Sequence, residues 1–120
     1  MKQGKIIAAY KRLAQMNRIP GLPFSLCSKL FLLKKKMEPY YQNQVEQENV
    51  ALEASGQKPE NGQWDITPEI RQVFRQISET EVEWNEERIE IPMTDELAEK
   101  LMMTGETMEI LEDFIRFTEV

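Results

Sequence analysis

Apolar residues recur at three- and four-residue spacing almost from the start of the chain. Ile6, Ala9, Tyr10, Leu13 and Ala14 share one side, and Lys5, Lys11 and Arg12 take the other, which predicts an amphipathic helix over residues 4–17. Ile19-Pro20-Gly21-Leu22-Pro23 stops it, because two prolines and a glycine within four positions cannot continue a helix. Ser25 then offers an N-cap, and Leu26, Leu30, Leu33 and Met37 open a seam of 3.5-residue spacing that runs on through Tyr40 or Tyr41 and Gln44 or Val45 to Ala51 or Leu52. This predicts a helix over 25–54 with a kink at Pro39, whose ring presses on the carbonyl of Lys35. Phe31 and Leu32 lie off the seam, so the first half of this helix is expected to be buried on more than one side.

The period changes further on. Asn61-Gly62 is a tight-turn signal, and 63–67 alternates like a short strand. Thr67-Pro68-Glu69 has the form of an N-cap with proline at the first helical position, followed by the stripe Ile70, Val73, Phe74, Ile77. Val82 and Trp84, then Ile89 and Ile91, alternate on either side of Asn85-Glu86-Glu87, predicting a small β-hairpin or two short strands, ended by Pro92. Thr94 caps another helix, Gly105 breaks it, and a last helix is expected over about 106–118. The whole reads as one mainly helical α+β domain spanning residues 1–120. Its parts are a long kinked helical hairpin, a small β-hairpin and two C-terminal helices.

A compact 120-residue domain has a radius of gyration near 14 Å, whereas a continuous 25–54 helix is about 45 Å long. Either the molecule is elongated or the helix is interrupted.

Charge divides the chain unevenly. Residues 1–37 hold nine bases and no acid, and residues 38–120 hold all 21 acids and the other six bases, so the net charge of −6 splits into +9 and −15. The simplest reading is that the two ends neutralise each other within one fold. Lys34, Lys35 and Lys36 point about 100° apart around a helix and make no single patch.

The absence of histidine removes Ser-His and Cys-His nucleophilic systems and the usual zinc sites. Five scattered glycines make no phosphate-binding loop. The lone Cys27 excludes an internal disulfide, reads as a small buried apolar residue and suits a reducing compartment such as the cytoplasm. No apolar run approaches the ~20 residues that span a bilayer. Carboxylates crowd residues 79–90. Three of them on one face suffice for Mg²⁺ or Ca²⁺, but the ligand-loop spacing of Asp, Asn and Gly is missing, so a solvated strand face is expected. The chain is therefore expected to be non-enzymatic, without metal or cofactor and without a membrane partner.

The segments "LKKKMEPYYQNQ", "NGQWDI", "IEIPMT" and "LEDFIRF", in that order, resemble a group of small uncharacterised proteins of bacteriophages and prophages of Gram-positive hosts. The resemblance implies a helical protein with a small β element and no known activity, and it supplies no site residues. The leading expectation is thus a protein-binding or assembly accessory of phage origin that meets a phage or host protein, or a second copy. Its candidate surfaces are Tyr40 and Tyr41 beside Pro39, and the acidic Glu81, Glu83, Glu86 and Glu87. The alternative is a nucleic-acid-associated regulator using Lys2, Lys5, Lys11, Arg12, Lys34 and Lys35.

Overall fold

A computed structural model describes residues 1–56 and 63–119. Helix α1 (Gln3–Met16) and helix α2 (Phe24–Ala54) form the helical hairpin. Helix α3 (Pro68–Glu79) crosses back over both. Strand β1 (Ile89–Met93), helices α4 (Asp95–Lys100) and α5 (Gly105–Leu111), and strand β2 (Ile115–Glu119) complete the chain.

Helix α2 starts at Phe24 with Pro23 before it, one residue ahead of the expected Ser25 cap, and runs 31 residues without interruption through Pro39. At 1.5 Å per residue it is about 46 Å long. The molecule is accordingly elongated, with extents of 54 × 32 × 23 Å and a radius of gyration of 16.9 Å. The helix ends where Gly56 takes a positive φ of 72°, a conformation that costs glycine little, and where the Ser55 hydroxyl donates to the Leu52 carbonyl at 2.6 Å.

The caps at Thr67 and Thr94 form as expected: their hydroxyls accept from the amides of Ile70 (3.3 Å) and Leu97 (3.1 Å). Gly105 behaves differently from the expectation. It opens α5 behind a Thr104 cap, and the chain turns earlier, at Met102, whose φ is +54°.

The expected β-hairpin is absent. β1 pairs with β2 in parallel, Ile89 beside Ile115 and Ile91 beside Phe117, with α4 and α5 as the crossover. Pro92 is accommodated because both strands of a two-stranded sheet are edges. The last expected helix therefore stops at Leu111, and its final residues form β2. Residues 80–82 pair instead with the start of the chain, Glu81 beside Lys2, through Gln3 N–H to Thr80 O (2.8 Å) and Val82 N–H to Met1 O (2.9 Å). Residues 64–67, expected as a strand, are irregular, and the Asn61-Gly62 turn lies outside the described residues.

The core lies between the hairpin and the βααβ unit. Ile6, Ala9, Leu13 and Met16 of α1 meet Leu26, Leu30, Leu33 and Met37 of α2, and Ile91, Leu111, Phe114 and Ile115 close over them. Beyond Met37, the contact between α1, α2 and α3 becomes more polar. Gln3 and Gln44 are buried there, and Ile7, Leu52 and Ile70 are the buried apolar residues among the described ones that stand outside the main core.

Candidate interaction surface

The position of each side chain around α2 follows from 100° per residue. The seam Leu26, Leu30, Leu33, Met37 faces the core, and Tyr40 and Tyr41 fall on its two flanks. Both tyrosines serve the fold. The Tyr40 hydroxyl donates to the Glu83 carbonyl, and its ring meets Trp84 edge-on at 5.7 Å, with Trp84 edge-on to Phe114 at 5.5 Å. Tyr41 stacks on Tyr10 at 4.4 Å with 19° between the planes, and the Lys34 ammonium sits 5.6 Å from the Tyr10 ring centre. Partial burial in this stack, and then the charge of Glu38, hold the Tyr10 phenol above its ordinary pKa.

The acidic segment does not form one surface. Glu81 pairs with the Met1 ammonium at 2.9 Å, and that hydrogen bond draws its pKa below the usual carboxylate range. Glu86 pairs with Lys36 at 3.0 Å. Glu83 contributes its backbone to Tyr40, and Glu87 borders a shallow depression shared with Lys29, Leu32, Lys36 and Ile89. Among the described residues no three acidic, cysteine or histidine side chains converge as a metal set would.

The bases divide in the same way. Lys5 reaches Asp113 at 3.4 Å, Lys35 reaches Glu38 at 3.5 Å on its own helix, and the Lys29 ammonium donates to the Glu90 carbonyl at 3.1 Å. Lys5–Asp113 and Lys36–Glu86 join the basic start of the chain to its acidic remainder. Both are exposed pairs, worth at most about 1 kcal/mol each, and so they orient the two parts more than they stabilise them. Among the described residues Lys11 and Arg12 take no ion pair, and Lys34 takes only the tyrosine face.

What the sequence reading missed is the outward side of α2. Phe31 and Leu32 are not buried on a second side: they are 50% and 56% exposed, Phe24 is 87% exposed and Val50 58%. These residues, with Lys35, Gln42, Glu46 and Glu53, lie on a continuous face open to solvent along the whole helix. The signal was present in the departure of Phe31 and Leu32 from the seam. Cys27 stands at the edge of this face, half-buried, with its thiol toward the Leu22 carbonyl.

Comparison of the chain with protein-family models, with curated proteins and with solved structures finds no match.

Proposed function

We propose that the protein is a non-catalytic binding module that docks a protein partner on the outward face of α2, as an assembly or accessory factor in a phage or prophage setting. The exposure of two phenylalanines, a leucine and a valine along one face of α2 carries this reading. Isolated exposed apolar residues are ordinary, but a run of them with aromatics is what interfaces use. The absence of histidine and of a phosphate-binding glycine loop supports a non-catalytic role. The phage setting rests on the sequence resemblance alone. The single cysteine favours the cytoplasm, and among the described residues no helix is long and apolar enough to cross a membrane.

Affinity capture tests it, with wild type compared against Phe31→Asp. A specific partner held by wild type and lost by the variant, with unchanged circular dichroism, is the expected outcome. Equal capture by both contradicts it.

One observation favours a second reading. Lys34 is not paired with an acid among the described residues, and its ammonium sits over the Tyr10–Tyr41 stack, the pairing of a base with aromatic rings that single-stranded nucleic acids favour. That reading requires binding that weakens steeply with salt, and no binding to an oligonucleotide at about 50 mM salt eliminates it.

A further inference from the structure

Helix α2 divides its own charges. Its four bases, Lys29, Lys34, Lys35 and Lys36, precede Glu38, and its four acids, Glu38, Glu46, Glu48 and Glu53, follow Met37. No acid stands in the first turn and no base in the last, so the helix dipole gains nothing from the arrangement, and Glu53 opposes it. Apolar residues are exposed in both halves: Phe24, Phe31 and Leu32 among the bases, Val45 and Val50 among the acids.

Resting on the reading of this face as a protein-binding surface, we infer that its partner is a second copy of the same chain, with the two α2 helices packed antiparallel about a two-fold axis near Pro39. The charges select this occupant. About that axis, residues 29–36 of one copy face residues 42–49 of the other, where Glu46 is the acid on the outward side. Phe31 and Leu32 then meet Val45 and Val50 in both directions, as an isologous contact requires. A parallel pair sets lysine on lysine and glutamate on glutamate. A purely acidic partner matches only the first half of the helix, and a nucleic acid is repelled by the second. Glu46 and Glu53 have no ion partner among the described residues, and Lys35 has only the exposed Glu38. The seam also includes Gln42 and Asn49, and a single helix pair buries an area at the low end for specific complexes, so the dimer is weak and reversible.

Sedimentation equilibrium of the full chain from about 10 µM to about 1 mM in low salt tests this, with dissociation expected near 100 µM. Lys35→Glu and Glu46→Lys each weaken the dimer by about tenfold or more, since each turns two attractions into repulsions. The double exchange K35E/E46K in one chain restores it to within about threefold. Wild type that stays monomeric at the top concentration overturns the inference. So does a dimer indifferent to the single reversals, or a double exchange that fails to recover. If wild type is monomeric while Phe31→Asp loses a captured partner, the self-pairing fails and the binding reading stands. If it is monomeric and capture is unchanged, both fail.

Discussion

The side-chain amide of Gln3 donates to the side-chain carbonyl of Gln47 at 3.1 Å, across the junction of α1 and α2, and Gln3 has no exposed surface. The same amide group also reaches Gln44 (3.4 Å) and the Ile77 carbonyl (3.3 Å), and the Gln3 oxygen accepts from Asn43 (3.1 Å). One residue thus ties three helices together where the apolar core has ended. Among the described residues every buried side-chain polar atom is satisfied. Gln3→Ala removes the hub and strands its partners, so it should cost about 2–3 kcal/mol in urea unfolding, more than a single net hydrogen bond is worth. An unchanged midpoint contradicts this role.

Pro39 acts in the opposite sense. It is exposed, it lies inside a continuous helix, and it deprives the Lys35 carbonyl of its helical donor. Pro39→Ala regains that hydrogen bond and loses some of the unfolded chain's stiffness, so a net stabilisation of about 1–2 kcal/mol is expected, read as a rise in Tm. A fall in Tm means that the proline itself is required by the packing around it.

Met102 takes a left-handed backbone between α4 and α5, with its side chain exposed and the following Met103 amide bonded to the Ala98 carbonyl at 2.9 Å. Glycine adopts this conformation without the side-chain clash. Met102→Gly should therefore stabilise by about 0.5–1 kcal/mol, and Met102→Val should destabilise, in thermal unfolding. The reverse order refutes the assignment.

Much of the helical framework was legible in the sequence, and the reason is local. The seam from Leu26 to Met37 and the caps at Thr67 and Thr94 are decided within a turn or two of chain. Strand pairing is not. Alternation at Ile89–Ile91 marked a strand, whereas at Val82–Trp84 the structure has only the isolated pairing of the preceding Glu81 with Lys2; a period of two says which side a residue faces and nothing about its neighbour. The neighbours came from residues 1–3 and 115–119. Ile115 fits a helical step from Leu111 and also alternation with Phe117, so burial of the strand pair decided between them. Tyr40 and Tyr41 carried the composition of an interface, yet Trp84 and Tyr10, remote in sequence, consume both. Phe31 and Leu32 were visibly off the seam, but only the arrangement of α1, α3 and the 83–90 segment shows that the described residues leave about half of each exposed.

The Glu81 carboxylate and the Met1 ammonium set a pH dependence. A carboxyl group whose folded pKa lies below its unfolded value stabilises above the unfolded pKa and loses that contribution as pH falls through the folded one. Glu81→Gln should therefore lower Tm at neutral pH, and the difference from wild type should disappear in acid, below the ordinary carboxylate range. A difference that persists unchanged into acid excludes the ion pair as its source.

The outward face of α2 as an antiparallel self-pairing surface is tested most directly by a distance between two copies. With Cys27→Ser and Ala54→Cys, a spin label at the exposed residue 54, to one side of the contact, lies level with residue 24 of its mate. The 30 residues between those positions separate the two labels by about 45 Å at 1.5 Å per residue. Pulsed electron resonance on concentrated protein should show that separation. A distance near 10 Å, as parallel helices require, or no dipolar coupling between copies, contradicts the account.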